Sequence, residues 1–211
     1  MKFYKYLNEQ TYIKEAIEIN DLIYSNCRPY LRLIDQLDGK LIKRGLDVTE
    51  SFGEKRVRKD RRPLGMSYDI FKLFNEWLEK EGHNRRDQSV SVSSEVNELF
   101  GEEYYFFPIG DFSYSWLESK DVNMDDRRTG WYMDAVYEFF DDPENFDNDF
   151  KVKLDKPFAD YFHTDEGISE AYKKGFEIWV NCGQYYFIDP LFYEWDRNNK
   201  IFIDKVDHYE T

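Results

Sequence analysis

From residue 8 to about 27, Ile13, Ala16, Ile17, Ile19, Leu22 and Ile23 recur at spacings of three and four between Glu and Lys, the pattern of an amphipathic helix. Pro29 cannot continue that helix but suits the first turn of a second, predicted from Pro29 to about Leu37. Asp38-Gly39 turns the chain, and the apolar run from Leu41 to Leu46 predicts a short strand interrupted by Arg44-Gly45. Further on, Ile70, Phe71, Phe74, Trp77 and Leu78 make one face of a helix that Ser67 caps and Gly82 stops. Ser and Val alternate through "SVSVSS" as a half-buried strand does. The segments "YYFFPIG", "FEIWV", "QYYFID" and "KIFIDKV" read as further strands. "EVNELFGEE", "WYMDAVYEFF" and residues 168–173 read as short helices, and "DDPENFDND" as a loop.

Helices come first, then short strands broken by short helices, with no βαβ rhythm and no internal repeat. This order predicts an α+β fold with largely antiparallel sheets. The length of 211 residues and 41% hydrophobic content suit one domain over 1–211, opening with a helical element at 1–38. The 18 Phe, 17 Tyr and 5 Trp imply a core that packs aromatic rings where other proteins use Leu.

Charge narrows the choice of partner. With 43 acidic against 29 basic residues the formal net charge is -14, which disfavours non-specific binding to nucleic acid or to an anionic membrane surface. Any phosphate-bearing ligand needs a local basic site. The segment "EKRVRKDRR" at 54–62 is the one candidate, and its ordinary reading is an exposed loop with solvated charges. Cys27 and Cys182 are far apart and lack CxxC spacing, while His83, His163 and His208 are scattered. Neither a disulfide framework nor a metal site is expected, and a reducing cytoplasm fits best. The acidic loop at 141–149 lacks the spacing and central glycine of a calcium loop. No apolar h-region opens the chain and no apolar run is long enough to span a membrane, so no membrane partner is expected.

No glycine-rich dinucleotide or phosphate loop and no GxSxG are present. Three separated polar features remain: Arg44, the serines at 89–94, and Glu177 in "GFEIWVNCGQYYFI". Singly, each reads as a surface charge, the wet face of a strand, or one acid among 43. Their order along the chain carries more information.

A strand carrying arginine and glycine ("LIKRGL"), a later strand carrying serines ("SVSVSSEVNELFG"), and a glutamate opening an apolar strand followed by a second aromatic one resemble the mono-ADP-ribosyltransferase fold of the arginine, serine, glutamate class. The stretch from "HNRRDQ" to "GDFSYSW" is also similar to phage proteins with this organisation. The resemblance implies split antiparallel β-sheets preceded by N-terminal helices, with the core at 39–195. It implies an NAD-dependent transferase that moves ADP-ribose to a cytosolic protein or nucleic acid, as a phage or bacterial effector would. By resemblance, Arg44 receives the NAD phosphates through its planar, permanently charged fork, and Gly45 lets the backbone approach. By resemblance, too, Glu177 stabilises the positive charge that develops on the ribose as the nicotinamide bond breaks. A serine hydroxyl would hold the ribose or orient the glutamate. Ser93 is the first choice, with Ser91 and Ser94 as alternatives in register. Arg58, Arg61 and Arg62 are assigned as contacts to phosphate or target.

Two features depart from that family. The usual Ser-Thr-Ser is replaced by Ser91-Val92-Ser93 or Ser93-Ser94-Glu95, and the position two before the glutamate, often an acid or glutamine, is Gly175. Gly175 leaves room for an inactive relative. A separate alternative is a non-enzymatic acidic interaction protein, a DNA mimic or inhibitor, motivated by the net charge of -14. As a partly exposed acid, Glu177 is expected to tolerate replacement by Gln without loss of fold.

Overall fold

A computed structural model of the chain describes residues 9–62, 68–96, 101–118 and 162–193. Helices α1 (Glu9–Asn26) and α2 (Arg28–Asp35) come first, and Pro29 stands in the first turn of α2. Strands β1 (Lys43–Leu46) and β2 (Phe52–Arg56), helix α3 (Tyr68–Lys80) and strands β3 (Val90–Val92), β4 (Glu102–Ile109), β5 (Ser113–Leu117) and β6 (Phe162–Thr164) follow. Helix α4 (Ile168–Lys174) leads to β7 (Ile178–Asn181) and β8 (Gln184–Ile188). Among the described residues all strand pairs are antiparallel, and they build two four-stranded sheets, β1-β4-β8-β2 and β3-β7-β5-β6. The fold class is α+β.

The two sheets belong to two compact units assembled from interleaved stretches of chain: unit 1 from 1–56, 96–111 and 183–211, and unit 2 from 57–95 and 112–182. A single contiguous domain leaves a linker at its border; here the chain passes back and forth, so composition shows no boundary.

Unit 1 is organised by aromatic strands. Along β8, Tyr185, Tyr186, Phe187 and Ile188 are all buried, as expected of a strand covered on both faces. Gly53 lies opposite Phe187 in β2, and a Cβ there would stand 2.5 Å from the Phe187 ring, so only glycine lets that ring cross the sheet edge. The first two helices complete this core. Tyr30 of α2 meets Phe106 and Phe107 edge-on at 6.4 and 5.6 Å, and its hydroxyl accepts the Ile42 N–H at 3.1 Å. Asn26, at the end of α1, donates to the Tyr186 hydroxyl at 3.0 Å.

Unit 2 packs helix α3 on the second sheet. Phe74 and Trp77 stack at 6.1 Å; Phe74 meets Trp179 of β7 edge-on at 6.2 Å, and Trp77 meets Phe162 of β6 at 5.1 Å. Phe71, Phe74, Trp77 and Leu78 are buried, as their spacing predicts; the Ser67 cap and the Ile70 side chain lie outside the described residues. Gly82 stops the helix in the left-handed conformation, with the His83 N–H bonded to the Leu78 carbonyl at 2.7 Å.

Several expectations need correction. Part of the basic segment expected as a loop is strand: residues 54–56 belong to β2, an edge strand whose charged side chains conceal it in the sequence. Within the stretch expected as one short helix, Glu102 and Glu103 open β4, and residues 97–100 lie outside the described residues. Strands β5 and β6 were not anticipated; β6 is three residues long, and β5, which alternates Ser with Tyr and Trp, lies in a stretch mixing aromatic and acidic residues. The helix expected at 131–140, the loop at 141–149 and the strand "KIFIDKV" also lie outside the described residues. Among the described residues no helix is long and apolar enough to cross a membrane.

Candidate active site

The unit 2 sheet brings one sequence-predicted pair together. Ser91 on β3 lies opposite Trp179 on β7, and Glu177 stands two residues before Trp179, on the same face by the period of two. A diagonal contact across the sheet follows: the Ser91 hydroxyl donates to Glu177 Oε1 at 2.7 Å. Extending the register by one residue puts Ser93 directly opposite Glu177, yet its hydroxyl donates to the Gly175 carbonyl at 3.3 Å. Ser94 lies by the same loop, 3.7 Å from where a Cβ on Gly175 would sit. Of the three serines, Ser91 is therefore the one bonded to Glu177.

Two arginines surround that pair. Arg86 Nη2 donates to the same Oε1 at 2.8 Å, and its guanidinium lies 5.2 Å from the centroid of the Trp179 ring. Arg61 Nη1 donates to Ser91 Oγ at 3.1 Å and to the Ser89 carbonyl at 3.2 Å. With Arg61 as donor to its oxygen, the Ser91 hydroxyl directs its proton to Glu177. The order is guanidinium, hydroxyl, carboxylate, guanidinium.

Glu177 is not the partly exposed acid its sequence context suggests. Its side chain is 12% exposed and that of Arg86 7%. Burial on its own pushes the carboxyl up; the Arg86 charge and the hydrogen bonds from Ser91 and Arg86 outweigh it and hold the carboxyl below its ordinary range. The Trp179 indole contributes in the same direction, although its Nε1 has no partner at hydrogen-bonding distance. The result is an ionised carboxylate in a largely water-excluded setting.

Local structure explains how Arg86 arrives there. It begins a single 3-10 turn, Arg86–Gln88, between α3 and β3. Asn75 of α3 is fully buried; it accepts the Asp87 N–H at 3.1 Å and donates to the Phe71 carbonyl at 2.6 Å. Arg85 holds the Asp87 carboxylate through two bonds, at 3.0 and 2.6 Å, and reaches Glu79 at 2.9 Å. The Ser89 hydroxyl closes the turn on the Arg85 carbonyl at 2.6 Å.

Glu177 is placed by Gly175. Helix α4 ends there at φ 67°, with the Phe176 N–H on the Ala171 carbonyl at 2.9 Å, and β7 begins three residues on.

Arg44 and Gly45 are on β1 of unit 1, with the Arg44 guanidinium 5.6 Å from the centroid of the Tyr185 ring. Arg58 is exposed and pairs with Asp60 at 3.5 Å, and Arg62 lies over the exposed Tyr68 ring at 5.4 Å. Arg86 was missed by sequence reasoning: "HNRRDQ" reads as a polar loop, and the partner that buries its charge is 91 residues away.

An ionised carboxylate beside a hydroxyl can stabilise a developing positive charge or accept a proton. Compared with family models, curated proteins and solved structures, the chain matches none of them. Function is therefore argued from the residues.

Proposed function

We propose that the chain breaks the nicotinamide–ribose bond of NAD and transfers ADP-ribose to a cytosolic macromolecule, with Glu177 as the charge-stabilising residue and Ser91 as its partner. The supporting observation is the Ser91–Glu177 bond at 2.7 Å on a carboxylate held ionised. The chemistry is balanced simply: the bonding pair leaves with nicotinamide, a nucleophilic atom of the acceptor bonds the ribose carbon, and that atom gives up its proton. As the first bond stretches, positive charge grows on the ribose, and the fixed negative charge of Glu177 lowers its energy. Ser91 fixes the carboxylate, or holds a ribose hydroxyl. Arg61, bonded to Ser91, supplies positive charge locally in a chain of net charge -14, which suits an anionic dinucleotide.

Purified protein incubated with adenylate-labelled NAD, with and without bacterial lysate, tests this. Nicotinamide release and label on macromolecules are expected, both lost in Glu177→Gln and reduced in Ser91→Ala. Nuclease or protease treatment of the labelled product then names the acceptor class.

One observation favours a second reading. Arg86 is itself buried and engaged with Glu177, as in a structural ion pair. In that case the chain is an acidic interaction protein that binds a basic partner in a salt-sensitive way, neither binds nor cleaves NAD, and loses only stability in Glu177→Gln.

A further inference from the structure

We propose that Arg86 is a positioning residue for Glu177, presented by the Asn75-anchored turn to fix the carboxylate in its rotamer and in its ionised form. This rests on the NAD-cleavage reading above. Two donors, Arg86 Nη2 at 2.8 Å and Ser91 Oγ at 2.7 Å, meet on the single oxygen Oε1. Of the two, only Arg86 carries charge. A hydroxyl orients a carboxylate, but it does not offset the cost of burying its negative charge.

The way Arg86 is held points to positioning. A charged side chain on a polar loop between a helix and a strand ordinarily faces water. Here the turn is tied to α3 through Asn75, closed by Ser89 on Arg85, and clamped by Arg85 on Asp87, so Arg86 has little freedom to leave. Trp179 forms a wall under the guanidinium. A supporting shell of this kind keeps a reactive group within a fraction of an ångström.

Among the described residues, Arg86 is the charged group bonded directly to Glu177 and the charge that lowers its carboxyl, so the protonation of Glu177 reports on Arg86. Arg61 lies behind Ser91 on the β3 side. On the Gly175 side stands the Glu95 carboxylate, 3.6 Å from where a Cβ on Gly175 would sit. Lys174, ending α4, is paired with Glu170 and lies over the Phe176 ring. Without Arg86, burial would act to protonate Glu177, and a protonated carboxyl cannot stabilise positive charge.

The test is the pH profile of nicotinamide release, with kcat and KM for NAD separated, in wild type, Arg86→Gln and Arg86→Lys. Wild type is expected to lose activity as pH falls below the ordinary carboxylate range. In Arg86→Gln the acid limb of kcat moves up by roughly one to three pH units, while KM stays within twofold and kcat recovers toward wild type at alkaline pH. Arg86→Lys keeps the charge and therefore the acid limb, at reduced kcat. A uniform loss of kcat at all pH values in Arg86→Gln, or an equal rise in KM, would overturn the proposal and leave Arg86 a purely structural ion. Should Arg86→Gln fail to fold, carbon NMR titration of the wild-type Glu177 carboxyl decides: a midpoint below the ordinary carboxylate value is expected, and one at or above it overturns the proposal. Absence of nicotinamide release from wild type would instead overturn NAD cleavage itself, and the positioning role with it.

Discussion

Replacing Glu177 by Gln should cost stability as well as activity. The carboxylate is 12% exposed and its partner Arg86 7%, so removing the negative charge leaves a buried guanidinium uncompensated. Breaking a buried pair from one side typically costs ~3–5 kcal/mol. Gln keeps the size of Glu and one acceptor oxygen for Ser91 and Arg86, which places the loss toward the lower end, about 3 kcal/mol. A domain holds ~5–15 kcal/mol in total, so the variant stays folded at room temperature. For a chain of this size each kcal/mol shifts the midpoint by about 2–4 °C, and Tm should fall by roughly 6–12 °C.

Thermal and urea unfolding measure this, and a cycle with Arg86→Met isolates the pair. With both charges gone no buried ion remains, so the double variant should be more stable than the sum of the single losses predicts, by on the order of 2 kcal/mol. The sign in pH is fixed too. The Glu177 carboxyl is lowered in the fold, so its contribution is present above the ordinary carboxylate value and is lost as pH falls through the folded value. Wild-type and Glu177→Gln curves should converge in acid. An unchanged Tm with additive single losses would refute the ion pair, and the position inferred for Glu177 with it.

Arg44→Ala is expected to lower Tm, since the guanidinium lies over the Tyr185 ring of the unit 1 sheet; an unchanged Tm in thermal unfolding would contradict a packing role for that contact. Gly175→Ala should destabilise by about 1–2 kcal/mol in urea unfolding, because φ is 67° and a side chain disfavours the left-handed region; the added Cβ meets Glu95 and Ser94 only at ordinary contact distance, so unchanged stability would contradict the helix-stop role. Burial holds His83 below its ordinary value, beside Thr164 and Phe162, so the unfolded chain takes up a proton first as pH falls below about 6.5. Tm should therefore drop between pH 7 and pH 5, and the drop should shrink in His83→Gln.

Long periodic segments were legible in the sequence. Helix α3 shows its buried face at Phe71, Phe74, Trp77 and Leu78, and the aromatic runs of β4 and β8 are continuous enough to announce themselves. Strands β2, β5 and β6 were not: β6 offers a single alternation, and β2 carries the Glu, Lys and Arg of an edge strand, which read as loop. At the site, Glu177 opens an apolar strand and is visible for that reason. Ser91 and Ser93 share a face by the period of two, so the sequence alone cannot say which hydroxyl turns to Glu177. Arg86 leaves no local trace, because what buries it is a turn held by Asn75 and a carboxylate from the other end of the unit.

Gly175 weighs differently once its conformation is known. In the sequence a glycine two residues before the glutamate reads as a missing acid, and so as a mark of lost activity. In the fold it is the left-handed stop of α4, and the chain needs that stop to turn from helix into β7 and set Glu177 diagonal to Ser91. An acid at 175 would carry the strain of positive φ and would place its Cβ 3.6 Å from the Glu95 carboxylate, adding like charge there. The glycine is thus required by the same geometry that keeps Glu177 ionised and oriented. A left-handed helix stop is needed whether or not the chain is an enzyme, so Gly175 does not by itself mark lost activity, and whether the site cleaves NAD falls to Glu177 and Arg86 to decide.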